Sequence, residues 1–184
     1  MKINSEKDLD AWLLVQTGIA EFTVSEFLPG KHLANQMLYL EGRLQLNAGL
    51  ECVEYVMADV APSKVTGNTA FGRLLNDRGL LDFCEQVMDF IGKKLDVPPH
   101  GVFSFDLKQD ATGSPKVTEI NIRHMAYTGI LAQCGCDFTK ASLDYLVSGK
   151  IRAEPVRHQF DQNYVFLRDV DVEPIVLKES ELLT

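Results

Sequence analysis

The sequence predicts an α+β fold: a mostly antiparallel sheet of about five or six strands backed by two helices, with a small N-terminal portion. Two observations point there. Several runs alternate in the manner of strands and succeed one another across clusters of turn-forming residues. Two other runs repeat apolar residues at helical spacing and stop at glycine or proline.

In chain order, Ser5 opens a helix, with Ser5-x-x-Asp8 as a variant capping box and Leu9, Trp12, Leu13 and Gln16 at helical spacing before Gly18. A strand is expected over Glu21–Leu28, ended by Pro29-Gly30. His32–Leu40 and Arg43–Tyr55 read as a long hairpin around Glu41-Gly42. Residues 57–78 are hard to assign, and 61–69 read as loop. Leu80–Leu95 is a helix whose Leu80, Cys84, Val87, Met88, Ile91 and Leu95 form one apolar face; Pro98-Pro99 stop it. Two strands follow, then a short helix near Tyr127–Cys134. Another helix, capped by Asp137, runs through Val147 with Gly149 after it. Tyr164–Leu167 is an apolar strand before a charged tail.

At 184 residues the chain suits one domain, large enough to bury about 70% of its unfolded surface. A net charge of -8 argues against general nucleic-acid binding. The start, Met-Lys-Ile-Asn-Ser-Glu-Lys, lacks a signal-peptide apolar core, and no long apolar run spans a membrane. A cytoplasmic chain with no membrane partner is expected. The cysteines at 52, 84, 134 and 136 fit as small buried hydrophobes.

The chemistry concentrates in His100–Lys108 and Val117–Arg123. Alternation puts Val102, Ser104 and Asp106 on one face of the first run. Val117, Glu119 and Asn121 share a face of the second. Between them, Gln109–Pro115 is rich in turn formers. A hairpin centred near Thr112–Gly113 sets Asp106 opposite Glu119 and Ser104 opposite Asn121, with directly opposed side chains about 5 Å apart. Two carboxylates that close repel unless a cation or proton lies between them, and Asp, Glu and Asn oxygens suit a hard cation.

These residues resemble a family. Asp106, then Glu119-Ile120-Asn121 and Arg123, look like the metal-binding strands of ATP-grasp enzymes, especially the carbamoyl-phosphate synthetase large subunit and its relatives. Val24-Ser25-Glu26-Phe27-Leu28-Pro29-Gly30 looks like their adenine-binding hinge. The resemblance covers roughly residues 1–150. It implies a remnant of the small nucleotide-binding subdomain at 1–28, the C-terminal subdomain at 29–150, and an additional strand and tail at 151–184.

It also implies roles. Asp106 and Glu119 would bridge magnesium, or manganese in its place, with Asn121 as a further contact to the metal–ATP complex. Arg123 would face the carboxylate substrate or its acyl phosphate. Glu26, Phe27 and Leu28 would receive adenine, and His32 stands where relatives carry an acidic ribose contact. Lys64 would reach the phosphates, with Lys108 and Arg73 as rivals. Apart from the resemblance, His124 adjoins Arg123 and reads as an acid/base, a substrate contact or a packing residue. Relatives more often carry proline at the position of Ile122.

The implied activity is that of an ATP-dependent carboxylate–amine (or carboxylate–thiol) ligase. Relatives place a substrate domain and a glycine-rich flap before the stretch that Lys2–Ser5 resembles. No Gly-rich phosphate loop occurs here. The expectation is therefore an incomplete enzyme served by its N-terminal half, in trans or in a longer chain. The alternative is a non-catalytic nucleotide-binding or interaction module. An exposed edge at Glu21–Leu28 or Lys2–Asn4 would favour a homodimer.

Overall fold

A computed structural model describes residues 2–60, 66–169 and 172–183. Its elements are α1 (Glu6–Val15), β1 (His32–Leu40), β2 (Arg43–Tyr55), β3 (Thr69–Leu75), α2 (Arg78–Leu95), β4 (Gly101–Gln109), β5 (Pro115–Asn121), α3 (Thr128–Gln133), α4 (Phe138–Ser148), β6 (Val156–Arg157), β7 (Tyr164–Leu167) and β8 (Ile175–Lys178). Short 3-10 turns lie at Ala58–Val60 and Glu179–Leu183.

All the strands belong to one sheet in the order β5-β4-β1-β2-β3-β7-β8, with β6 beside β2. Every pairing is antiparallel except β2 with β6. The β1–β2 hairpin closes at Glu41 and Gly42, which have φ of 51 and 78°. Two positive φ values in succession give a turn whose twist matches that of paired strands.

Ser5 and Asp137 cap their helices as the sequence suggests, and Asp77 caps α2 without having been singled out. Ser5, Asp77 and Asp137 accept from the backbone amides of Asp8, Leu80 and Lys140 at 3.2, 3.0 and 2.8 Å. Gly149 ends α4 in the left-handed region, with φ 64°.

Helices cover both sheet faces. Leu33, Met37, Tyr39, Phe105 and Leu107 pack with Leu80, Cys84 and Met88 of α2. On the opposite face, Ala34, Leu38, Leu50 and Leu74 pack with Ile130 and Leu131 of α3 and Phe138 of α4. Among the described residues, no helix is long and apolar enough to cross a membrane.

The sheet exceeds the expected strand number because β3, β6 and β8 escaped the pattern. β3 has glycine at its centre, ordinarily a breaker signal. The glycine is there because Phe166 of β7 crosses over it; a Cβ on Gly72 would lie 2.3 Å from the Phe166 ring and 2.7 Å from the Glu51 carbonyl oxygen.

The N-terminal expectations need correction. Neither Glu21–Leu28 nor Lys2–Asn4 forms a strand. Alternation makes a strand only where a neighbouring backbone can pair with it. Residues 2–31 bury no side chain fully, and Phe22 packs edge-on to Trp12 at 5.2 Å instead. The sheet edges are β5 and β8, so the expected dimer edge is absent at the residues proposed for it.

Gly72→Ala should destabilise the fold by about 1–3 kcal/mol through overpacking. Equilibrium denaturation checks this; an unchanged midpoint would mean that Phe166 can move aside freely.

Candidate functional site

The β4–β5 hairpin is organised from its turn. The Asp110 carboxylate accepts from the Thr112 amide and hydroxyl at 2.8 and 2.6 Å and from the Ser114 amide at 3.0 Å. These bonds hold Asp110 well below the usual carboxylate range, the Thr112 hydroxyl contributing most. The resulting register sets Asp106 opposite Glu119 and Ser104 opposite Asn121.

One detail differs from simple alternation. The ladder shifts between Asp106 and Leu107, whose partners are Glu119 and Val117. Thr118 is the extra residue, and its hydroxyl donates to the Asp106 carbonyl at 2.9 Å. Val117 therefore joins Ile120 against the α2-side core rather than sharing a face with Glu119 and Asn121. The bulge satisfies both demands, sending the apolar residues inward and the polar ones to the other face.

On that other face the Asn121 amide donates to Asp106 Oδ2 at 3.3 Å. Burial and the Glu119 charge raise the Asp106 pKa, while Arg123 draws it partly back. The pair thus concentrates negative charge that Arg123 offsets only in part.

Asp106, Glu119 and Arg123 line a hollow of about 340 Å³ with His32 and Lys108. His32 lies opposite Lys108 across β1 and β4, and its ring meets Tyr55 edge-on at 5.3 Å. Burial, and secondarily the Lys108 charge, lower its pKa and favour neutral imidazole. Cys52, Tyr55 and Tyr127 form further walls. A ladder irregularity at Val53 lets Cys52 and Tyr55 reach the same hollow. The Tyr127 and Thr69 hydroxyls are hydrogen-bonded at 2.5 Å, and the Cys52 thiol donates to Tyr127 Oη at 3.8 Å. Burial raises the pKa of both Cys52 and Tyr127, keeping them protonated.

The proposed hinge residues occupy a second hollow of about 490 Å³. Glu26 and Phe27 line it with Lys2, Trp12 and Phe22. Lys108 connects the two regions: it lines the first hollow, and its Nζ lies 5.7 Å from the Phe27 ring centroid. Leu28 is half-buried and lines neither hollow.

Asp106, Glu119, Asn121, Arg123 and His32 thus converge, whereas Glu26 and Phe27 stand beside them. Lys64 lies outside the described residues. Of its rivals, Lys108 reaches the hollow. Arg73 does not: it lies 4.0 Å from Glu51 and 3.5 Å from Glu179 in ion pairs on the opposite sheet face. Cys134 and Cys136 are held as thiols, their pKa values pushed by burial to about 11 and about 12.

Sequence reasoning overlooked Gln36, Tyr55 and Tyr127. Gln36 left a trace, being a long amide in the otherwise largely apolar β1. The tyrosines left none, because bulges and loops decide where they point.

Among the described residues, no group of three or more His, Cys, Asp or Glu side chains is placed to hold a metal. Two carboxylates and an amide nevertheless fit magnesium, which retains waters and takes phosphate oxygens to complete its shell.

No protein-family model matches the chain, and no curated protein is similar to it in sequence. Solved structures are similar in fold. The biotin carboxylase domain of a thermophilic 2-oxoglutarate carboxylase, bound to bicarbonate, superposes with a TM-score of 0.58 at 13% identity, covering 78% of this chain and 31% of that one. N5-carboxyaminoimidazole synthetase from Staphylococcus aureus, complexed with ADP, gives 0.58 at 15% identity, covering 90% and 42%. A biotin carboxylase–β,γ-ATP complex from Campylobacter jejuni gives 0.56 at 9% identity, covering 78% and 31%. The fold is similar to that of these three proteins over most of this chain, which spans less than half the length of each.

The raised Asp106 pKa has a definite sign. The folded state holds this proton more tightly than the unfolded chain, so stability falls as pH rises from the unfolded value through the folded one. Asp106→Asn should remove that fall and melt no lower than wild type at neutral pH. Magnesium should raise the melting temperature of wild type and leave the variant unchanged. Thermal denaturation across pH, with and without the ion, checks both expectations.

Proposed function

We propose that this chain is the magnesium–ATP-binding C-terminal part of an ATP-grasp ligase that activates a carboxylate as an acyl phosphate for attack by an amine or another nucleophile. The observation that carries the reading is the Asp106–Glu119 pair, with Asn121 bonded to it and Arg123 beside it, at the rim of one hollow. The closer assignment to the carbamoyl-phosphate synthetase group rests on the hinge and Glu-x-Asn motifs.

In this reading Asp106, Glu119 and Asn121 hold magnesium, with manganese as a substitute. Magnesium held there would supply positive charge against the nucleotide phosphates. Arg123 offers a planar fork that can hold two oxygens of the acid and the charge that develops on them. Neutral His32 can donate to or accept from a ribose hydroxyl. Glu26, Phe27 and Leu28 take the adenine edge and ring. Lys108, between the two hollows, faces the intervening phosphates. A carboxylate oxygen attacks the γ-phosphorus and ADP leaves; the nucleophile then attacks the acyl carbon and expels phosphate.

These 184 residues contain no Gly-rich phosphate loop. The proposal therefore includes a second polypeptide segment that supplies it, in the same chain or in trans. That absence also favours a second reading, in which the chain binds nucleotide, or a partner, without catalysis.

Calorimetry with magnesium–ATP separates the readings. Binding at millimolar or better, weakened at least tenfold by Asp106→Ala and by Glu119→Ala, supports the nucleotide site. ATP turnover on adding the upstream half, lost in both variants, supports the ligase. Undiminished turnover in either variant removes the assignment.

A further inference from the structure

After β5 the chain must serve two opposite ends. Arg123 and His124 face outward, while Met125 and Tyr127 turn into the core. The stretch from Ile122 to Tyr127 is neither helix nor strand, so its backbone must find other partners. The sheet beneath supplies them through two side chains.

Gln36 of β1 is a fully buried polar residue on this face. Its Oε1 accepts from the Met125 amide at 3.2 Å and from the Thr128 hydroxyl at 2.9 Å. Its Nε2 lies 3.5 Å from His124 Nδ1. Directly opposite on β4, Ser104 donates its hydroxyl proton to the Arg123 carbonyl at 2.5 Å. The main chain is thus held on both sides of His124. The Thr128 hydroxyl also lies 2.9 Å from the Met125 carbonyl, joining Gln36 to the first turn of α3, whose N-cap residue Tyr127 makes no side-chain cap.

Packing alone does not call for an amide here. Gln36 lies between Ala34 and Leu38 on the sheet face, and both belong to the α3–α4 core. Leucine would fill such a position and leave no polar group to satisfy. A side-chain acceptor is called for here because the Met125 amide and the Thr128 hydroxyl both donate toward this position.

We propose that Gln36 is the positioning residue that presents Arg123 to an oxyanion at the hollow, so that the oxyanion subsite is formed before nucleotide arrives. The shared chemistry is that of carboxylate, bicarbonate or phosphoryl oxygens. The ligand's identity rests on the ligase reading above; the tie between Gln36 and the segment does not. Gln36 itself touches no reacting atom. Its contribution is to remove the freedom that a short unpaired segment would otherwise lose on binding.

Amide exchange followed by NMR tests the tie, with inorganic phosphate as the oxyanion probe and manganese as the metal probe. In the wild type, the Met125 amide should exchange more slowly than that of Ala126. In Gln36→Leu it should exchange about tenfold faster, and phosphate should bind about tenfold more weakly, with manganese affinity within about twofold. Gln36→Glu keeps the acceptor and should restore protection at Met125. A folded Gln36→Leu variant with unchanged exchange or unchanged phosphate affinity overturns the proposal. If that variant does not fold, a wild-type Met125 amide as labile as that of Ala126 overturns it equally. Wild type without saturable phosphate binding overturns the oxyanion assignment. Failure of manganese to bind wild type counts against the ligase reading, while Met125 protection still decides the role of Gln36.

Discussion

Two like charges held together across a hairpin organise this molecule. Asp106 and Glu119 are cross-strand partners, and a strand pair with a free choice of register would avoid that. The register is not free. Asp110 binds the turn through two backbone amides and the Thr112 hydroxyl, and the Thr118 bulge lets Val117 and Ile120 pack against the core while Glu119 remains on the other face. Hydrophobic burial on one side of β5 thus maintains electrostatic repulsion on the other. A fold that keeps such a repulsion is suited to a ligand that relieves it.

The rest of the hollow depends on that hairpin. β4 places Lys108 across from His32, and the end of β5 starts the segment bearing Arg123. The walls are contributed by distant stretches: Cys52 and Tyr55 from the end of β2, and Tyr127 from before α3. Burial keeps the thiol and phenols protonated, so charge in the site resides on Asp106, Glu119, Arg123 and Lys108. The two hollows meet at Lys108 and Phe27, which gives Phe27 a physical connection to the acidic pair.

Much of this was legible beforehand because it is local. The β1–β2 and β4–β5 hairpins, the Asp106–Glu119 register, α2, and α4 with its Asp137 cap follow from alternation, turn chemistry and helical spacing over short distances. Glu21–Leu28 misled because its alternation is genuine but no strand lies beside it. β3 was missed because Gly72, which permits the Phe166 crossing, reads as a breaker. Arg73 was a rival for the phosphate role until its strand direction turned it toward Glu51 and Glu179.

By itself the sequence determined which residues alternate, where the helices cap, and that a carboxylate pair would face itself across a turn. These are properties of neighbouring residues and their dihedral preferences. Only the tertiary structure decided which face the pair shares with His32 and Arg123, that Gln36 bonds to the segment after Arg123, and that Glu26 and Phe27 form no strand while Gly30 bonds to Gln109 of β4. Those outcomes depend on bulges, crossings and unpaired backbone groups, whose partners lie dozens of residues away and cannot be read from local spacing.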